Sequence, residues 1–397
     1  MRSTLRDRVA VVGAGCTPFR EHWNKSGDDL LVEACWEAFE DAGLGPRDMQ
    51  AGWLGGGITG QTLAHALQLD FIPVSRVENW CATGGDVIRN AAMAVAGGFY
   101  DIVLVAGFSK TKDTPALRGN IFNGGPSGTW LHGQDVTFAG PASGSFGTFA
   151  PRYVHHYGLK FEDVKRGLGA IAVKNYANGA LNPKAFLRKT VTMEEYLSAP
   201  MLSWPLGLHD CCSMPDGAAA LILTTPEIAP KIRPDYVVLK GLGMSVGTKQ
   251  GQLDSSYDWV HFPEAVIAGR QAYEMAGVSN PLKELDVACV HDAFTVVELV
   301  VSEDLGWAPR GQAYKYVQDG VFDRVEGELA VNPNGGLKAF GHGGGSSGIH
   351  KSYEVYKQLQ GKAGERQVKN VSLGLTHDQG GYPGTYTVVI GIWGTRD

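Results

Sequence analysis

The feature that most constrains this chain is that it is written twice. RVAVVGAG (Arg8 to Gly15) reads as a buried strand ending in a glycine turn. LLVEACWEAFEDAGL (Leu30 to Leu44) reads as an amphipathic helix with a glycine stop. Much later, YVVLKGLG (Tyr236 to Gly243) and AVIAGRQAYEMAGV (Ala265 to Val278) repeat the pair. Ala38-Phe39-Glu40-Asp41-Ala42-Gly43-Leu44 matches Ala272-Tyr273-Glu274-Met275-Ala276-Gly277-Val278 almost type for type. Each helix is followed by a proline-containing turn and a strand, near Trp53 in one copy and at Val287 to Val290 in the other.

The parallel continues. A helix after Cys81 leads to the strand DIVLVAG (Asp101 to Gly107), and GHGGGSSG (Gly341 to Gly348) opens a helix leading to NVSLGLT (Asn370 to Thr376). The final strand of the second copy follows after a short turn. Its equivalent, AAALILTT (Ala218 to Thr225), comes only after a long insertion, about Phe108 to Pro215. Alternating strands and helices imply an α/β fold, and short runs such as IVLVA suit strands covered on both faces. An insertion at a strand end is where binding surfaces are usually built. Two packed halves would bring their equivalent turns together, and with them Cys81 and His342.

Composition narrows the function classes. The 397 residues are 44% hydrophobic with a formal net charge of -6, which disfavours nucleic acid as the main partner. Six cysteines without a CxxC pair do not form a secreted disulfide framework or a zinc ribbon. MRSTLRDRVAVVGAG lacks the apolar core of a signal peptide, and no run of about 18 apolar residues spans a bilayer. No membrane association and a cytoplasmic location are therefore expected. GAGCTP lacks the third glycine of a dinucleotide turn, and GHGGGSSG lacks the Lys-Ser/Thr of a P-loop. His209, Cys211 and Cys212 suit a tight buried turn better than a metal, and no metal is expected.

Cys81 stands apart. It sits where a polar turn opens into a helix, and helix N-terminal amides would stabilise a thiolate and lower its pKa. Thr83, Gly84 and Gly85 would leave room for a substrate. Cys16, Cys35 and Cys289 read as core filler. His291, His342 and His377 all lie at predicted carboxyl ends of strands or in turns, where open α/β sheets place their chemistry.

These segments together resemble the thiolase superfamily, in particular the sterol-carrier-protein-type and archaeal acetoacetyl-CoA-type thiolases, and the resemblance covers nearly the whole chain. ENWCATGG is similar to the nucleophile motif. WPLGLHDCCSMPDGAAALIL is similar to the return from the loop domain, and NPNGGLKAFGHGGGSSG to the Asn-Pro-x-Gly-Gly…Gly-His-Pro segment. HDAF stands where other members carry Asn-Glu-Ala-Phe, and GLTHDQGG resembles the final glycine-rich turn. The resemblance implies two βαβαβαββ halves, residues 1–107 plus 216–235 and residues 236–397, with a loop domain at 108–215 forming the CoA and acyl pocket.

It also implies a chemistry. Cys81 would attack the keto carbon of a 3-oxoacyl-CoA and become acylated, and free coenzyme A, a co-substrate rather than a bound cofactor, would take the acyl group. In reverse, two acyl-CoAs would be joined by Claisen condensation. His342 would take the thiol proton and help hold the thioester oxygen, with His291 completing that oxyanion site. The Cys81 amide and one from Gln379, Gly380 or Gly381 would form a second oxyanion hole.

Two departures matter. Gly343 replaces the proline of Gly-His-Pro. The second cysteine that many members use as acid/base is missing, its two places being held by His377 and Ala293. His377 is the expected substitute, its pKa suiting proton transfer near neutrality, with Cys289 and Tyr382 as weaker candidates.

Phe122, Trp130, Phe138, Phe146, Phe149 and Trp204 in the insertion suit a bulky, branched or aromatic acyl group such as benzoylsuccinyl, as in aromatic degradation, unless they form the insertion's own core. A homodimer or dimer of dimers is implied, as is a separate small OB-fold/zinc-ribbon partner subunit. Competing readings are a retro-aldolase or ketosynthase on the same fold, or a non-catalytic acyl-CoA carrier. The first does not need the cysteine, and mere binding needs no thiolate.

Overall fold

A computed structural model describes residues 5–113 and 142–396 of the chain. The first copy runs β1 (Ala10–Cys16), α1 (Gly27–Ala42), β2 (Ala51–Gly55), α2 (Gln61–Leu67), β3 (Val74–Val77), α3 (Thr83–Ala96) and β4 (Ile102–Ser109). An intervening region holds α4 (Phe161–Ala180) and the small pair β5 (Met201–Ser203) and β6 (Leu206–Gly207). The copy then closes with β7 (Gly217–Thr224). The second runs β8 (Val237–Val246), α5 (Pro263–Ala276), β9 (Val287–Cys289), α6 (Thr295–Asp304), β10 (Ala330–Val331), α7 (Ser347–Leu359), β11 (Leu373–Tyr382) and β12 (Thr385–Gly394). Both therefore read βαβαβαββ.

The strand order, β10-β9-β11-β12-β8-β1-β7-β4-β2-β3, is one five-stranded arrangement followed by its own reverse. The copies meet at a short antiparallel contact, Ala10 opposite Val238 and Val11 opposite Val237. In each copy the last strand slots in antiparallel beside the first, β7 between β1 and β4, and β12 between β8 and β11. Side chains alternate across the sheet. Val9 and Val11 enter a central cluster with α3 and α7, while Ala10 and Val12 enter another with α1. On the outer face of the second copy, Val388, Ile390 and Ile392 of β12 pack with residues of α4, α5 and α6. The layers thus run helix, sheet, helix, sheet, helix, and the site lies where α3 and α7 start in the middle layer.

Local chemistry sets the helix ends. Ser26 and Asp29 form a capping box at the start of α1 (3.1 and 2.8 Å), and Gly43 closes it in the left-handed region at φ 67°. The glycines at the start of α3 do not leave room for substrate, contrary to expectation. A Cβ at Gly84 would lie 2.5 Å from the Gly348 nitrogen, and one at Gly85 would lie 2.7 Å from Asp378 Oδ2. They let the two central helices touch backbone to backbone.

A second correction concerns THDQGGY. It is a strand rather than a turn, because β11 continues through Tyr382 and pairs along β12, with His377 opposite Ile390, Gln379 opposite Val388 and Gly380 opposite Thr387. Pairing with β12 satisfies alternate backbone groups of this stretch despite the glycines, while β9 on the other edge pairs only through Thr376. Phe146 and Phe149 are core, Phe146 stacking on Phe294 at 4.5 Å and Phe149 against Phe262 at 5.1 Å. Trp204 is exposed and stacks on Phe161. Phe122, Trp130 and Phe138 lie outside the described residues. Among the described residues, no helix is long and apolar enough to cross a membrane.

Candidate active site

Cys81 lies in the tight connection between β3 and α3. The Ala82 amide donates to Asn79 O at 3.0 Å and the Thr83 amide to Trp80 O at 3.1 Å. Glu78 braces the turn by accepting from the Trp80 amide (2.8 Å) and Thr83 Oγ1 (3.1 Å). Trp80, immediately before the cysteine, adopts φ 55°, an uncommon conformation for a bulky residue. The thiol's pKa moves opposite to expectation. Burial, the largest effect, pushes Cys81 up to about 12, and Lys351 and the thiol's own amide oppose this without overcoming it. Cys81 precedes α3 by two residues, so desolvation outweighs the helix-end effect.

Two segments of the second copy bring His342 and His291 to this thiol, and β11 places His377 against the His291 backbone rather than in that cluster. His342 sits in the turn before α7. Its backbone amide donates to Ser213 O at 2.8 Å, and its Nδ1 accepts from the Gly344 amide at 3.0 Å, with Ser347 Oγ at 3.2 Å. Ser347 Oγ accepts from the Gly343 amide at 3.0 Å, so its own proton is free to point at the ring. Burial lowers His342 to about 4. His291 follows β9, and its amide donates to Nδ1 of His377 at 3.2 Å. His377 lies within β11 and is fully buried. Burial first, then Lys351, holds His291 and His377 well below the ordinary histidine range, so His377 is not poised near neutrality as expected. Nε2 of His342 and Nδ1 of His291 are buried without hydrogen-bond partners, and the His377 ring meets the Gln379 side chain.

Cys81 Sγ and one ring nitrogen each of His291 and His342 lie within 4.8 Å of one another. Such donors could suit a thiophilic metal, but the ring of His342 does not fit one. A metal on Nε2 requires the proton on Nδ1, where the Gly344 amide already donates. The expected second oxyanion region adjoins the cysteine: a Cβ at Gly380 would lie 2.4 Å from Asn79 O and 2.8 Å from the Cys81 nitrogen. Gln379 places a buried amide beside it. Of the weaker acid/base candidates, Cys289 is corrected to core. It is fully buried within β9, and burial raises its thiol well above the ordinary value. Tyr382 is half-buried, its ring edge-on to Trp80 at 6.1 Å.

Sequence reasoning missed the groups behind these residues. Asn332 Oδ1 accepts from the Val290 amide at 2.9 Å, fixing the chain beside His291. Asp292 accepts from Asn175 of α4 at 2.9 Å, and Asn175 and Asn332 both donate to Glu298 (2.7 and 2.8 Å). Lys351 and Asp378 form a buried ion pair beneath the histidines. Asn332 and Asp378 stand inside recognisable motifs, so their proximity to the site was readable, but their partners are distant in sequence.

Comparison with known proteins fits this arrangement. Residues 9–227 match the model of the thiolase N-terminal domain, and residues 245–391 that of the thiolase C-terminal domain-like family. The chain is 36% identical to an acetyl-CoA acetyltransferase of Methanothermobacter thermautotrophicus, over 97% of this chain and 99% of that one. It is 29% identical to the benzoylsuccinyl-CoA thiolase subunit BbsB of Thauera aromatica, over 95% and 96% respectively. Among solved structures it superposes on an Ltp2-ChsH2(DUF35) aldolase with a TM-score of 0.84 at 26% identity, covering 98% of both chains. The chain belongs to the thiolase family, a family of acyltransferases.

Proposed function

We propose that this protein is a thiolase that cleaves a 3-oxoacyl-CoA with free coenzyme A, or runs the reverse Claisen condensation, through an acyl group carried on Cys81. The observation that carries this reading is the convergence of Cys81, His291 and His342 within 4.8 Å at the junction of the two copies. A half-buried thiol beside neutral imidazoles is equipped for covalent acyl transfer, which splits a hard step into two easier ones. The Cys81 amide and the backbone from Gln379 to Gly381 would hold the developing oxyanion.

In this reading residues 1–107 with 216–235, and 236–397, are the two halves, and 108–215 is the loop domain over the CoA and acyl chain. The acyl group is left at the class of 3-oxoacyl thioesters, since Phe146 and Phe149 are committed to the core. We place the protein in the cytoplasm as a homo-oligomer. The DUF35 protein named with the structural neighbour supports a small separate partner subunit.

The aldolase neighbour also supports a second reading, carbon–carbon cleavage without an acyl-enzyme. A panel of 3-oxoacyl-CoAs assayed with free CoA, using wild type and Cys81→Ala, separates the two. A thiolase loses CoA-dependent cleavage in the alanine variant. Cleavage that persists in Cys81→Ala, or that ignores CoA, would instead mean the aldolase reading.

A further inference from the structure

The proton inventory of the three histidines leads further, and the inference rests on the thiolase reading. A backbone N–H can only donate. The Gly344 amide donates to His342 Nδ1 at 3.0 Å, and the His291 amide donates to His377 Nδ1 at 3.2 Å. In a neutral imidazole whose Nδ1 accepts, the proton sits on Nε2. Both rings are neutral at working pH, because burial lowers them. Their Nε2 atoms therefore present N–H groups, not lone pairs. His342 and His377 are built as donors. To accept the Cys81 proton at Nε2, either ring would have to carry a proton on Nδ1 as well, against the amide already pointing there.

His291 carries no such tie. Its Nδ1 is buried without a partner, so the proton can rest there and leave Nε2 as a base, or the reverse. We propose that His291 is the single proton carrier of the reaction, exchanging the role expected of His342, while His342 serves as a fixed N–H donor to a carbonyl oxygen and His377 holds the His291 backbone in place.

The chemistry balances without a second cysteine. In the first half, Cys81 Sγ bonds to the 3-keto carbon and its proton passes to His291. The bond between C2 and C3 breaks, its electron pair stays on C2, and His291 returns the same proton to C2, releasing the C1–C2 fragment as its CoA thioester and leaving the shortened acyl group on Cys81. In the second half, the thiol of incoming CoA gives its proton to His291 as its sulfur attacks the acyl carbon. The Cys81 sulfur leaves with the electron pair and is reprotonated. One proton is lent and returned in each half, so the empty acid/base positions at Ala293 and His377 need no replacement thiol.

The test needs no acyl-CoA, so it can fail separately from the thiolase reading. The rate of iodoacetamide alkylation at Cys81 is measured at fixed pH for wild type, His291→Asn, His291→Gln, His342→Asn and His377→Asn, with the melting temperature of each as a fold check. Turnover should fall in all four variants. Alkylation should fall about 10²-fold in both His291 variants, the lower end of general-base effects, and stay within about threefold in the others. In wild-type protein, nitrogen-15 histidine NMR should show His342 and His377 protonated on Nε2, a readout that no unfolded variant can spoil. Slower alkylation in His342→Asn than in His291→Asn, equal alkylation in all variants, or an Nδ1 proton on His342 overturns the proposal.

Discussion

Lys351 Nζ donates to the backbone carbonyl of His377 at 2.7 Å and forms an ion pair with the neighbouring Asp378, and both side chains are almost wholly buried. This places one fixed positive charge beneath the histidines and the thiol. The charge disfavours a second cation on any of the rings and favours a thiolate on Cys81. Lys351→Met leaves Asp378 buried and unpaired, which should cost about 3–5 kcal/mol. Lys351→Met with Asp378→Asn should recover part of that stability in urea titrations while still alkylating Cys81 more slowly than wild type. Asp378 opposes Lys351 at Cys81 more weakly, so if the double variant alkylates at the wild-type rate, the pair has no net effect on the thiol.

The meeting of the central helices predicts a steric effect of known place. A Cβ at Gly348 would lie 2.3 Å from both Asp378 Oδ2 and the Gly85 nitrogen. Gly348→Ala should therefore lose about 1–3 kcal/mol, as overpacked cores do, and should disturb the site because α7 carries Lys351. Gly45→Ala is the control. Its backbone is extended and its nearest neighbour would be 3.9 Å away, so denaturant midpoints should shift by no more than about 0.5 kcal/mol.

His350 gives a pH signature away from the reacting atoms. It stacks on Phe340 at 4.5 Å, both ring nitrogens are buried without partners, and burial holds it well below its ordinary value of 6.5. Above about pH 6.5 the ring is neutral in both folded and unfolded chains. Below that, the unfolded chain takes up a proton that the folded chain refuses, so this ring's contribution falls as pH falls. Asp304, raised to about 7, acts in the opposite sense, so the comparison must be differential. Relative to wild type, His350→Phe should gain stability progressively from pH 7 to pH 4.5. A difference that is flat with pH contradicts a buried neutral ring.

Asn175 tests whether α4 helps to position the His291 loop. It bridges Asp292 and Glu298, which would lose a donor in the interior. Asn175→Ala should cost about 1–3 kcal/mol. It should also lower kcat more than it raises KM, because His291 follows its displaced neighbour Asp292. An unchanged kcat with reduced stability would limit Asn175 to the fold.

Much of this was readable in the sequence because it depends on patterns local to each copy. The duplicated strands and helices emerged within a few residues of their expected bounds, and the equivalent turns did bring Cys81 to His342. What stayed hidden depends on approach between distant segments. Gly84 and Gly348 look like flexible loop glycines until the two helices touch. THDQGG looks like a turn until β12 pairs with it. The Cys81 thiol looks activated by a helix end until its burial is known. The ring protons of His342 and His377 are set by amides whose direction no spacing reveals.

The acyl-enzyme itself is the most direct test. Protein incubated with acetoacetyl-CoA without free CoA, quenched in acid and digested, should show one acetyl group on the peptide containing Cys81, and added CoA should remove it. No adduct on Cys81 while cleavage proceeds, or an adduct that CoA cannot discharge, would contradict the account.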